Sequence, residues 1–447
     1  MGYIDDKKDL LEKIISDYRT NKTLYDKMYD YCVTGKTDAY REYKHNPKRS
    51  NLKVRTNFIK KFIKEEVSYL LSNKPTYISE SDNVDEINFI HRKLRHWDKN
   101  HDKQLLRDML SYGSVYELYY TTKISKTEVL FNSKIISPRD GYVYEDNFGN
   151  IEMFLRFYKK KFDTNTYIDI YTKDFIYHCD DSLSEISKPT KNIFGEVPVK
   201  VGKISNYKEQ DTLFNECKDL QDAYETNLSD IVNEISDYRL AYLIMLGCSV
   251  DYINKDKDGK TQLDYMKEKG FINASEKDVI IKFLTKDIND TFVQNTLNTL
   301  KKTLYEISNH IDTNEKMQSN TSGSALRNRL IGLEQRVRDS EGSMKNIFQG
   351  RIYFMFLLFK KFKECDYDYR DISVKFTLNI PQDDLLMAQT LSQLGIGENI
   401  SLKTSLAQLS FITNPDREIT LIEEDKKRNE PNLDFGTHEP VEGEGNV

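Results

Sequence analysis

Apolar positions along residues 324–362 recur at intervals of three, four and seven. Leu326, Leu330, Leu333, Val337 and Met344 share one face, leaving Arg327, Arg329, Arg336, Arg338 and Lys345 on the others. That period predicts one long helix, roughly 58 Å if unbroken at about 1.5 Å per residue. Gly332, Gly342 and Gly350 are the places where it could bend, Gly332 first. A polar stretch, residues 313–323, leads into it. Helical spacing also marks residues 10–31 and 57–75, the latter closed by Pro75, and helices are expected to continue to about residue 112.

From residue 115 to 194 short Tyr, Phe, Ile and Val runs alternate with turn signals such as Pro138-Arg139-Asp140-Gly141 and Asn147-Phe148-Gly149-Asn150, which predicts antiparallel strands, with a last short one at 197–201. Two further helices follow. In the first, Leu213, Cys217, Leu220, Tyr224, Leu228, Ile231, Ile235 and Tyr238 form an apolar seam, while Glu216, Asp219, Asp230, Glu234 and Asp237 lie on a separate acidic strip. In the second, residues 292–311, the seam is Val293, Leu297, Leu300, Leu304, Ile307 and Ile311. Between them lies a small module with strands at 240–246 and 278–284. A strand at 371–379 and short helices at 382–394, 401–409 and 416–427 end the ordered chain. Residues 429–447 carry acids but no Lys or Arg and are expected to be disordered. The fold class is α+β, mainly helical.

Composition narrows the function. At 447 residues there is room for two or three domains and an ample core. The cysteines Cys32, Cys179, Cys217, Cys248 and Cys365 are scattered without C-x-x-C spacing, which suits a reducing compartment. The longest apolar run, 352–359, is less than half a membrane span, so a soluble intracellular product without membrane contact is expected. A net charge of -6 with 31% charged residues excludes a generally basic nucleic-acid binder but permits local basic patches.

Candidate chemistry is sparse. Gly35-Lys36-Thr37 resembles the end of a P-loop, yet Asp30 stands where the first glycine belongs. The run Asn254 to Gly259 resembles the start of a calcium loop, but its twelfth position is Tyr265. His91, His96 and His101 are spaced by five and do not stack on one helical face. No nucleophile and base pattern is present, so no enzyme, cofactor or metal is expected.

The segment from Asn320 to Glu334, with its Ser322-Gly323-Ser324-Ala325-Leu326 and Leu330-Ile331-Gly332-Leu333-Glu334 elements, resembles the most recognisable stretch of portal proteins of tailed bacteriophages, the branch typical of siphophages of Gram-positive hosts. Four other stretches are similar in the same order: residues 57–75, Leu220 to Tyr224 with Ser229, Asp230, Asn233 and Glu234, then Phe376 to Pro381, and 409–415. The resemblance implies a portal fold assembled as a ring, usually of twelve subunits, at one capsid vertex. It maps residues 1–210 and 323–381 to a wing, 211–239 and 291–311 to a stem, 240–290 to a clip, 312–322 to a tunnel loop and 382–428 to a small crown. Asn314, Lys316, Gln318 and Asn320 would face DNA, Arg327 and Arg329 would touch DNA or a neighbouring subunit, and the acidic strip would line the channel. The implied partners are double-stranded DNA without sequence specificity, a terminase motor, major capsid and scaffolding proteins, and a head-completion or tail connector protein. The implied location is the virion, after assembly in the host cytoplasm. The alternatives are a magnesium-dependent nucleic-acid enzyme and another connector ring of the virion.

Overall fold

The computed structural model describes residues 3–44, 51–125, 128–238, 242–246, 253–269, 280–284, 290–312, 323–378, 384–397, 399–409, 412 and 415–429. Helices α1 (Tyr3–Asp6) and α2 (Lys8–Tyr29) open the chain. After a π-helical turn at Asp30–Thr34 come α3 (Asp38–Glu42), α4 (Phe58–Leu71), strand β1 (Thr76–Ser79), α5 (Val84–Leu94) and α6 (His101–Tyr112). Eight strands follow: β2 (Ser114–Lys123), β3 (Val129–Ile136), β4 (Gly141–Glu145), β5 (Ile151–Lys159), β6 (Thr166–Tyr171), β7 (Phe175–Asp180), β8 (Glu185–Lys191) and β9 (Val199–Lys203). The rest is α7 (Leu213–Tyr238), β10 (Tyr242–Leu246), α8 (Gln262–Lys269), β11 (Ile280–Leu284), α9 (Asp290–Ile307), α10 (Gly323–Lys361), β12 (Ile372–Lys375), α11 (Asp384–Leu394), α12 (Leu402–Ala407) and α13 (Pro415–Asn429).

The chain divides into two compact units, 1–315 with 330–379, and 316–329 with 380–447. In the first, β4 to β8 form an antiparallel meander in sequence order, and β3, β2 and β9 form a second sheet. Strand β5 joins the two layers because its side chains alternate between them. Met153, Leu155 and Phe157 meet Leu11, Ile14, Ile15 and Tyr18 of α2 on one face, and Phe154 meets Leu118, Ile136 and Val199 on the other. Tyr18 stacks on Phe157 with centroids 3.7 Å apart. The second half of α10 is buried through Met344, Ile347, Phe348, Ile352, Met355 and Phe359. It lies so close to β9 that a Cβ at Gly202 would sit 2.3 Å from Ile347 Cδ1. In the second unit, α12 packs against α13.

One expectation is corrected. Residues 76–79, placed in a helical run, are a strand paired antiparallel with β12, a ladder from Thr76 opposite Lys375 to Ser79 opposite Ile372. Pro75 stops α4, and the partner strand lies almost three hundred residues away, so no local signal announces the pair. Of residues 429–447, expected to be disordered, Asn429 ends α13 and the rest lie outside the described residues. Among the described residues, no helix is long and apolar enough to cross a membrane.

Candidate functional site

The two helices singled out by their seams, α7 and α9, pack against each other and flank the module that holds β10, α8 and β11, with β10 and β11 paired antiparallel. The α7 seam is not its most buried face. Leu213 and Cys217 are buried, whereas Ile235 is 57% exposed. The buried face is instead a polar ladder, Gln221, Glu225, Ser229 and Asn233, each at most 3% exposed.

The ladder holds an extended segment just before α4. The backbone N–H of Leu52 donates to Asn233 Oδ1 (2.8 Å), that of Val54 to Ser229 Oγ (3.0 Å) and that of Thr56 to Glu225 Oε1 (2.9 Å). Two extended residues advance about 6.6 Å and four helical residues about 6.0 Å, so every second N–H of the strap meets every fourth side chain of the helix. The next rung caps α4. Asn57, at φ 54, gives no side-chain cap, and Gln221 Oε1 accepts from the Ile59 N–H at 3.0 Å. Glu225 also accepts from the Thr37 hydroxyl (2.5 Å), so the Gly35 to Thr37 turn closes onto α7.

The acidic strip is unevenly disposed. The Glu216 carboxylate turns inward and accepts from Arg336 at 2.8 Å. Asp219 has a side chain 96% exposed and pairs with Lys218 at 3.1 Å. Asp230 is exposed and accepts from the Tyr43 hydroxyl at 2.8 Å, and Glu234 is half-buried. Asp237 lies in the last turn of α7. Asn314, Lys316, Gln318 and Asn320 lie outside the described residues. Arg327 and Arg329 fall in the first turns of α10, Arg329 exposed. The helix runs uninterrupted through Gly332, where a Cβ would come within 3.3 Å of Asn309.

A second buried polar centre went unnoticed in the sequence. The Arg351 guanidinium, 2% exposed, donates to Glu117 Oε1 (2.8 Å) and Asp102 Oδ1 (2.9 Å) and lies over the Phe348 ring at 4.2 Å. His101 Nε2 lies 2.8 Å from Glu117 Oε1, and the Tyr119 hydroxyl donates to Glu117 Oε2 at 2.8 Å. Burial alone would push the Glu117 carboxyl up, but Arg351 and His101 outweigh it and hold it down at about 2. This centre pins α10 to β2 and α6. Glu117 and Arg351 are closed off from solvent, and the chemistry of the pair is that of a structural tie.

The family described as phage portal protein, SPP1 Gp6-like, matches residues 11–432. The portal protein of Bacillus phage SPP1 is 22% identical over 449 residues, spanning 93% of this chain and 86% of that protein. Among solved structures, a chain of the virion of a native gene transfer agent particle is similar with a TM-score of 0.47 and 8% identity, covering 89% of this chain and 92% of its own. A chain from the neck of the native particle gives a TM-score of 0.47 with 9% identity over 78% and 88%. The match runs from α2 through α13 and takes in all five of the stretches that suggested it, so the chain belongs to the phage portal protein family, SPP1 Gp6-like, a family of structural virion proteins and not of enzymes.

Proposed function

We propose that this portal protein assembles as a ring of twelve subunits at one capsid vertex, through which DNA enters during packaging and leaves at infection, and that it performs no catalysis itself. The observation that carries this reading is the family match across residues 11–432. In it, 1–210 and 323–381 form the wing, α7 and α9 the stem, 240–290 a clip that docks a terminase motor and later a connector protein, 312–322 the tunnel loop and 382–428 a small crown. Capsid and scaffolding proteins surround the wing. A species near twelve times 52.6 kDa in solution supports it. Metal-dependent turnover of nucleic acid by a monomer would overturn it in favour of the enzyme alternative.

A channel must pass DNA without holding it, because each phosphate neutralised by Lys or Arg adds salt-sensitive affinity. The exposed acids Asp219 and Asp230, repeated around a ring, would repel the duplex and keep it centred, with Glu234 and Asp237 continuing the strip. Asn314, Lys316, Gln318 and Asn320 in the loop, with Arg327 and Arg329 behind it, give brief backbone contacts without base readout. Lys316→Ala is expected to lower the DNA packaged several-fold in rings that still assemble. Broken rings would instead place Lys316 at a subunit interface. Reversing Asp219 and Asp230 to Lys is expected to retard DNA passage and to make it more sensitive to salt. Packaging at the normal rate in that double variant would remove the acidic strip from the mechanism.

A further inference from the structure

The chain leaves α9 and returns along α10, and both passages meet at one point. Asn309, at φ 57, ends α9, and Gly332 of α10 approaches it so closely that a Cβ would lie 3.3 Å from Asn309 Cβ. The next residue, His310, is buried and stacks on Phe62 of α4 with centroids 4.4 Å apart. Its Nδ1 lies 2.7 Å from the Ser308 carbonyl and its Nε2 3.1 Å from the Phe62 carbonyl and 3.9 Å from Glu66 Oε1. Glu66, 1% exposed, accepts from Arg336 Nε at 2.9 Å, one turn beyond Gly332, and Arg336 Nη1 donates on to Glu216 of α7 at 2.8 Å. Among the described residues Glu66 Oε2 is buried without a hydrogen-bond partner.

The geometry points to a positioning clamp: Glu66, Arg336, Glu216 and His310, closed over the Asn309 and Gly332 contact, fix the base of the excursion 311–331 and thereby the placement of the loop it carries. The clamp joins α4, α7 and α10 through the Arg336 guanidinium and its two carboxylates, and His310 brings in the turn after α9, so a displacement of α7 or α9 is felt at Asn309 and Gly332. The functional meaning rests on the reading of 312–322 as the DNA-facing loop. Gly332 acquires a role that needs no bend, since a side chain there would hold α10 away from the α9 terminus.

The clamp carries two groups whose ionisation differs between its closed and open states, and they pull in opposite directions. Burial pushes the Glu66 carboxyl up to about 7, against Arg336 and with Glu216. Burial pushes the His310 imidazole down to about 4, with the Ser308 carbonyl opposing and Arg336 assisting. The other charges around them are Lys61 and Glu65 of α4 and Asp312, which lies beside Glu65. Once solvated, both groups return to their ordinary values. Raising pH from 6 to 8 then favours opening about tenfold through Glu66 and disfavours it about fourfold through His310.

The test is hydrogen exchange of residues 305–315 and 328–336 in assembled full-length rings between pH 6 and 8, divided by the intrinsic rate, alongside a packaging assay. His310→Gln should leave the rise of about tenfold, and Glu66→Gln should invert it to a fall of about fourfold, because each variant removes one of the two linked protons. A role in folding alone gives the same slopes at every amide that exchanges through global unfolding, whereas the clamp confines them to these two segments. If either variant fails to assemble, Glu216→Gln keeps Glu66, Arg336 and His310 and should flatten the rise seen in the unmodified protein. Slopes that match the unmodified protein in the variants overturn the clamp. Opposed slopes with unchanged packaging uphold the clamp and overturn the DNA-facing assignment of the loop.

Discussion

Replacing Arg351 by Met is expected to cost about 3–5 kcal/mol of folding stability, because it strands the Glu117 carboxylate in the core without its counter-charge. Glu117 is fully buried, and of its partners His101, Tyr119, Ser133 and Arg351 only the Arg351 guanidinium carries a permanent charge. Asp102 loses the same guanidinium. Denaturant unfolding at pH 7 measures the loss directly, and a loss below about 1 kcal/mol would contradict the assignment of Arg351 as a structural tie. The pH dependence gives a second reading. The Glu117 carboxyl is held at about 2, below its ordinary value of 4.5, so its contribution is complete above pH 4.5 and is lost as pH falls toward 2. In Arg351→Met that acid limb should shrink. Glu117→Gln combined with Arg351→Met should recover part of the stability, since no buried charge is then left alone.

Glu225→Leu is the second large effect. It removes the acceptor of the Thr37 hydroxyl, the Thr56 N–H and hydroxyl and the Asn57 N–H. Unsatisfied buried donors cost about 1–3 kcal/mol each, so a combined loss of about 4 kcal/mol is expected. The damage should be local first. The strap from residue 51 to 57 loses its last rung, the one nearest α4, and the amides of Val54 and Thr56 should exchange faster well before global unfolding. Protection of those amides equal to that of the unmodified protein would show that the ladder does not hold the strap. Glu225→Gln keeps one acceptor oxygen and should cost less.

These residues mark the limit of what a linear reading reaches. The stripe Gln221, Glu225, Ser229 and Asn233 has helical spacing, but a polar stripe at that spacing reads as a solvated face unless a partner chain is known. Its partner is an extended segment some 170 residues earlier, and the matching period is visible only once the two are side by side. The apolar seam on the same helix was legible, yet Ile235 on it is exposed within one subunit. Arg351 and Glu117 were equally silent, since a single Arg in an apolar helix and a single Glu in a strand carry no sign of each other.

The sequence by itself determined the long helix α10, the seam-bearing pair α7 and α9, the antiparallel meander and, through five ordered stretches, the portal family. All of these are written in local periods and short motifs, because helix and strand repeat on the scale of a few residues. The tertiary structure alone decided which face of α7 is buried, that β1 pairs with β12, where the Glu117 and Glu66 charges find their partners, and that Gly332 meets Asn309. Each of these joins residues that are close only because the chain between them has folded. A buried polar group is stable solely through the partner that satisfies it, and the identity of that partner is a property of the fold.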